Sequence, residues 1–170
     1  YDISGTIIGV VEKSHMMPNR QVSKGDYLIG LPSTGLHTNG YSLARKVLLS
    51  QYKVDDYIED IGMTLGESLL SIHKSYLPIL NDVLESDWLV GISHITGGGI
   101  VDNTNRILGK DLRLDINWEA WERPAIFNLI QQLGAVPEND IRQSMNLGIG
   151  MILIVKPTGF KSLQAHLASQ

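Results

Sequence analysis

Apolar and polar positions along the chain switch repeatedly between the dense or alternating runs of strands and the three-to-four spacing of helices. Residues 6–11 are apolar and β-branched and predict a strand; residues 26–31 predict a second, short one. The stretch 14–24 is mostly polar, contains Pro18, and reads as a loop. Within 41–51, Leu43, Ala44, Val47 and Leu48 share one face and predict a helix. Thr64 and Glu67 match a capping box ahead of Leu69 and Leu70. Leu77, Leu80, Val83 and Leu84 predict a helix over 77–85, with Pro78 in its first turn. Residues 88–95 form an apolar run that passes directly into glycines, 100–108 resume helical spacing, and 112–116 alternate as a strand does. Ile126, Leu129, Ile130 and Leu133 mark a helix over 125–133, with Gly134 at its C-cap position. Residues 148–155 predict a buried strand. Thr158 is placed to cap a last helix carrying Phe160, Leu163 and Leu167. Helices and strands interleave without repeat or linker. The class is therefore α/β or α+β with a layered sheet, in a single domain spanning 1–170.

Composition narrows the functions. A chain of 170 residues buries enough surface to fold without a disulfide or a structural metal. Fourteen basic against eighteen acidic residues give a net charge of −4, which leaves no basic excess for a phosphate backbone and argues against nucleic acid. No apolar run approaches the roughly 18 residues of a membrane span. Cysteine is absent, which excludes thiolate chemistry and suits the cytoplasm. The start Tyr1-Asp2-Ile3-Ser4-Gly5 lacks the basic region of a signal peptide, and an initial tyrosine suggests a fragment of a longer protein.

Three glycine-bearing segments lie at strand ends. The first is Ser33-Thr34-Gly35-Leu36-His37-Thr38-Asn39-Gly40, ahead of a predicted helix. Strand, glycine loop and helix N-terminus together make an anion site, because unpaired N–H groups and the positive helix end both favour phosphate. Ser33, Thr34, Thr38 and Asn39 add side-chain donors, and His37 adds a group that titrates near neutrality. A structural turn with an N-cap explains the same pattern. The second is His94-Ile95-Thr96-Gly97-Gly98-Gly99. Three successive glycines are entropically unfavourable and make sense where backbone approaches a ligand closely; His94 is either part of that site or a satisfied structural residue. The third, Asn146-Leu147-Gly148-Ile149-Gly150-Met151, fits close packing or a bulge better than a ligand. His15, His73 and His166 lack metal-ligand spacing, so no metal site is expected. Asp55, Asp56, Glu59 and Asp60 read as a solvated surface, and Trp88, Trp118 and Trp121 as packing. Neither a Walker A loop nor a nucleophile elbow is present.

These residues carry a resemblance. Gly9-Val10-Val11-Glu12-Lys13, the stretch from Gly30 to Lys46 with His37, Asn39-Gly40-Tyr41-Ser42-Leu43 and Arg45, the run His94 to Gly99 with Asn103 and Arg106, and Asn146 with Gly148 to Met151 follow in the order of the C-terminal half of the AIR synthetase family. Trp118-Glu119, Pro124, Ile126 and Phe127 also fit. Two positions depart. Ile72-His73-Lys74-Ser75-Tyr76 stands where the family carries a Pro-Thr-Arg-Ile-Tyr-like segment, and Met145 replaces a usual phenylalanine.

The resemblance implies an α+β domain, a layered α/β sandwich whose mixed sheet is packed by helices. It implies one half of an ATP-dependent cyclo-ligase that closes the imidazole ring of formylglycinamidine ribonucleotide, giving aminoimidazole ribonucleotide, ADP and phosphate. The nucleotide-binding N-terminal half is not matched here. That half would hold most of the ATP and its Mg²⁺ and would form a homodimer. By the same implication His37 and His94 orient substrate or move protons. Ser33, Thr34, Gly35, Thr38, Asn39, Gly40, Thr96, Gly97, Gly98 and Gly99 bind substrate or phosphate. Two other readings share the pattern in part: another ATP-dependent enzyme of the same superfamily, such as a selenophosphate synthetase, a thiamine-phosphate kinase or a hydrogenase-maturation protein, and a non-enzymatic ligand-binding module.

Overall fold

A computed structural model describes residues 4–17 and 21–170 of the chain. Five strands and seven α-helices follow in the order β1 (Tyr27–Pro32), α1 (Tyr41–Leu48), β2 (Tyr57–Ile58), β3 (Met63–Thr64), α2 (Leu65–Leu69), α3 (Leu77–Leu80), β4 (Leu89–His94), α4 (Gly99–Asn105), α5 (Ala125–Leu133), α6 (Glu138–Ser144), β5 (Ile149–Val155) and α7 (Phe160–Ala168). The class is α+β.

The main sheet has the order β1-β5-β4. The most apolar strand, β5, is central and antiparallel to both neighbours. The expected mixed sheet is therefore corrected to an antiparallel one among the described residues. Its arrangement decides where chemistry can gather. Because both neighbours run against β5, the C-terminal ends of β1 and β4 flank the N-terminal end of β5. Pro32 pairs with Ile149 and His94 with Met151. The loops leaving β1 and β4 and the loop entering β5 thus emerge at one end of the sheet.

Alternation along the strands sorts side chains between the two faces. Leu31, Leu89, Leu153 and Val155 pack with Tyr76, Leu80, Val83 and Leu163, from the α3 and α7 side. Val90 and Ile154 pack on the other face with Val22, Leu28, Ile107, Leu108 and Leu112. A third cluster joins Ala44 and Leu48 of α1, Ile126, Phe127 and Ile130 of α5, and Ile141 of α6 to Leu36, Met145 and Leu147. It anchors the loops before α1 and before β5 to a helical base. Among fully or partly buried aromatics, Trp121 donates Nε1–H to the Leu147 carbonyl at 2.9 Å, and the Arg142 guanidinium lies 4.2 Å above the Trp118 ring centroid. The tryptophans pack, as expected.

Several expectations fail for physical reasons. Residues 6–11 are not a strand: among the described residues no ladder partner reaches them, and Ile7, Ile8 and Val10 are almost wholly exposed. Residues 112–116 keep their alternation, with Leu112, Leu114 and Ile116 half-buried, but likewise have no hydrogen-bonded neighbour strand. The helix expected over 77–85 ends at Leu80 and continues as turns, too short to propagate its own hydrogen bonds. Thr158 caps nothing; Gly159 is the N-cap of α7, without a side-chain cap bond. The Thr64–Glu67 capping box forms as expected. Gly134 is the C-cap of α5, but with φ of −84° rather than a left-handed turn. Glycine is needed there because a Cβ would lie 2.9 Å from both the Ile130 carbonyl and the Val47 side chain.

Candidate functional site

The loop from Ser33 to Gly40 is held from beneath by one buried amide. Asn146 is 3% exposed, and its Nδ2 donates to the carbonyls of Gly35 (2.9 Å) and Leu36 (3.3 Å). Its Oδ1 accepts from the Ser33 hydroxyl (3.0 Å) and the Gly148 N–H (2.8 Å). Asn146 thus joins the loop after β1 to the turn before β5. Three amides of the loop are already used by the protein: Ser33 N–H donates to Gly148, Thr34 N–H to the His37 ring, and Asn39 N–H to Leu36. Gly40 closes the loop as the left-handed N-cap of α1, at φ 80°.

His37 sits inside this turn, 4% exposed, at a positive φ of 57° in the left-handed region that few non-glycine residues enter. Its Nε2 accepts from Thr34 N–H at 3.1 Å, so the neutral ring carries its proton on Nδ1. That Nδ1 is the one buried side-chain polar atom without a hydrogen-bond partner among the described residues. An unpaired buried donor costs about 1–3 kcal/mol, so it marks a place where a ligand contact would be rewarded. Room for the ring comes from β5: a Cβ on Gly150 would clash with the Tyr76 hydroxyl and with His37 Cε1. Gly150 is thus the back wall of the site, a role that close packing in the sequence only partly anticipates.

Two further rings complete the cluster. His73 stacks on His37 with centroids 3.9 Å apart and planes 20° from parallel. His94, exposed at the end of β4, lies 5.5 Å from His73. Burial, then the neighbouring His73, His94 and Lys74, push the His37 pKa down from 6.5 to about 4. Burial and then His73 lower that of His94. Tyr76, edge-on to His37 at 6.2 Å, donates its hydroxyl proton to the Pro32 carbonyl, and burial raises its pKa to about 12. The fold therefore brings His37 and His94 together. It adds His73, which the sequence did not single out because isolated spacing carries no trace of a tertiary stack.

The glycine run after β4 divides into three jobs. Gly99, at φ 63°, lies so close to α6 that a Cβ would clash with the Arg142 carbonyl. A Cβ on Gly98 would meet the Asp102 Cβ at 2.9 Å. Only Gly97 is open, and it faces the first loop: its Cβ position is 3.7 Å from Asn39 Oδ1. Thr96 donates its hydroxyl proton to Asn103 Oδ1 (2.9 Å), and Asn103 Nδ2 donates to the Gly99 carbonyl (2.8 Å), which fixes the run on α4. The Ser33 and Thr34 hydroxyls are similarly engaged, Thr34 with the Ile72 carbonyl at 2.6 Å. Thr38 is exposed at the rim.

Two cavities compete for attention. One of about 270 Å³ touches Ser33, Thr34 and Gly35 from the α2 and α5 side. The larger, about 850 Å³, lies elsewhere, between Leu28, Ile152 and Ile154 of the sheet and Leu112, Ile116 and Trp121. It is mostly apolar and holds none of the histidines, so size favours it while chemistry favours the loop end. Among the described residues, no group of three or more His, Cys, Asp or Glu side chains is placed to hold a metal ion. No helix is long and apolar enough to cross a membrane.

The sequence model of the AIR synthase related protein, C-terminal domain, matches residues 23–169. Phosphoribosylformylglycinamidine cyclo-ligase of Thermoanaerobacter sp. (strain X514) is 44% identical over 160 residues, covering 93% of this chain and 47% of the relative. The protein of the same name from Pseudothermotoga lettingae is 44% identical over 167 residues, covering 98% and 49%. The one from Desulfitobacterium hafniense (strain DSM 10664 / DCB-2) is 41% identical over 167 residues, covering 98% and 49%. The chain spans about half the length of the curated relatives it matches. With the family model covering most of its length, the chain belongs to the AIR synthase related protein family, as a C-terminal domain.

Proposed function

We propose that the chain is the C-terminal half of a cytoplasmic, ATP-dependent cyclo-ligase that converts formylglycinamidine ribonucleotide to aminoimidazole ribonucleotide, ADP and phosphate. One observation carries the reading: a buried His37 with an unspent Nδ1–H, backed by Gly150 of β5, belongs to the loop whose Asn39 meets Gly97 of the second glycine run. In the reaction, the terminal phosphoryl group of ATP moves to the formyl amide oxygen, a substrate nitrogen attacks that carbon, and phosphate leaves. Charge gathers on oxygen throughout, and a preorganised neutral donor in a dry site stabilises it without reorganisation. His37 supplies that donor. His94, exposed and disposed to be neutral, takes up the proton that the attacking nitrogen loses. Gly97, Gly35 and the rim residues Thr38 and Asn39 let the phosphate-bearing substrate lie against backbone.

ATP and Mg²⁺ belong to an N-terminal half. Among the described residues no group of three or more His, Cys, Asp or Glu side chains is placed to hold a metal ion, and in this reading the N-terminal half carries it. It also supplies the homodimer contact. Its docking explains why Ile7, Ile8 and Val10 are exposed with a strand's pattern and no strand partner. The layered sandwich belongs to the same reading, with α3 and α7 covering one sheet face.

The test is a fusion of this chain behind the N-terminal half of the Pseudothermotoga lettingae relative. The fusion should form aminoimidazole ribonucleotide and ADP, and the chain alone should release no ADP above blank. A folded, ATP-binding fusion without product, or turnover by the chain alone, contradicts the proposal.

A further inference from the structure

His37 is gripped by a closed circuit of contacts that runs through a segment far away in sequence. Thr34 N–H donates to His37 Nε2, and the Thr34 hydroxyl donates to the Ile72 carbonyl at 2.6 Å. Ile72 precedes His73, and the His73 ring returns to stack on His37 at 3.9 Å. The segment is pinned a second time by the Tyr76 hydroxyl on the Pro32 carbonyl at 2.9 Å. The hydrogen bond at Nε2 and the close wall at Gly150 leave the opposite face of the imidazole free to turn outward. A parallel ring against its face removes this freedom. We propose that His73 is a positioning residue for His37: its stacked imidazole holds the plane and the Nδ1–H tautomer of His37, keeping the unspent donor in place for a substrate oxygen. This rests on the reading of His37 as a substrate contact.

Charge works in the same direction. The titratable groups facing His37 are His73 and Lys74 of the same segment, His94 of β4, and Tyr76, whose phenol stays neutral. A proton on His73 sits face to face with His37 and beside His94, so it opposes protonation of both. Stacking fixes geometry, while burial first, and then the neighbouring His73, His94 and Lys74, keep His37 a neutral donor.

The two contributions separate in a pair of variants of the 170-residue chain, read by ¹⁵N spectra of labelled histidines. His73→Phe keeps a flat ring and loses the charge; His73→Thr loses both. In wild type and in His73→Phe, His37 shows the neutral Nδ1–H tautomer. In His73→Thr its signals average toward a mixture of tautomers. The His94 titration midpoint rises in both variants. Titration with formylglycinamidine ribonucleotide gives a Kd raised roughly 3–10-fold in His73→Thr, and within about twofold of wild type in His73→Phe, as expected when one aromatic pair is lost or kept. Unchanged His37 signals and unchanged Kd in His73→Thr, with an unmoved His94 midpoint in His73→Phe, overturn the proposal. If the ribonucleotide moves no histidine signal in wild type, the functional reading fails instead. The tautomer comparison still decides the role of His73.

Discussion

Gly97, Gly98 and Gly99 are identical in sequence and different in consequence. A Cβ at Gly99 clashes with the Arg142 carbonyl and would have to adopt φ 63°, whereas a Cβ at Gly97 meets only Asn39 Oδ1 at 3.7 Å. Gly99→Ala should lower stability by about 3 kcal/mol or more in urea denaturation, since strained backbone and overpacking act together. Gly97→Ala should leave the midpoint unchanged while weakening ribonucleotide binding. Equal effects of the two would refute the division. His37 makes a pH prediction. Its folded pKa of about 4 lies below the ordinary 6.5, so between these values the unfolded chain binds the extra proton. Stability is therefore full above about pH 6.5 and falls as pH drops toward 4, by at most about 3 kcal/mol. Urea midpoints at pH 7 and 4.5 should differ more in wild type than in His37→Asn, and equal differences would contradict the burial argument. At this scale the sequence was legible where a residue type is tied to local backbone: His37, His94 and the glycines stood out from their loops. His73 did not, because only the tertiary stack gives it a role. Gly150 was visible as a packing glycine but not as the wall behind His37.

Among the elements, those that read correctly were the ones whose burial is continuous. Strand β5 is apolar throughout because it is covered on both faces, and α1 and α5 each present a broad apolar stripe to one core. Helix α6 was missed because a single buried residue, Ile141, ties it down and leaves no periodic signal. Residues 6–11 and 112–116 have the pattern of strands, but a strand exists only where a neighbour takes its hydrogen bonds, and local sequence does not state that. The turn before β5 is the least obvious structural element of the site. Beside the backbone bond from Ser33 N–H to the Gly148 carbonyl, the Asn146 amide ties it to the Ser33–Gly40 loop through its hydrogen bonds to Ser33, Gly35, Leu36 and Gly148. Asn146→Ala leaves buried carbonyls unpaired and should cost about 2–4 kcal/mol. It should also release the His37 tautomer in histidine spectra. A loss below about 0.5 kcal/mol, the range of ordinary surface substitutions, would show that the loop keeps its shape without this amide.

Across the whole molecule, the antiparallel order β1-β5-β4 does what no motif states: it places the loops after two separate strands and before a third at one end of the sheet. The larger of the two cavities described lies away from that end, beside Leu28, Ile154 and Trp121. Volume and chemistry thus point to different places, and the unspent Nδ1–H of His37 favours the loop end. An amide-resolved titration of the 170-residue chain with formylglycinamidine ribonucleotide distinguishes them directly. Binding at the loop end shifts Gly35, Thr38, Asn39 and Gly97 together with the His37 ring, and leaves Leu28, Leu112 and Trp121 unmoved. Shifts confined to Leu28, Leu112, Ile154 and Trp121, with His37 and Gly97 unmoved, would contradict it.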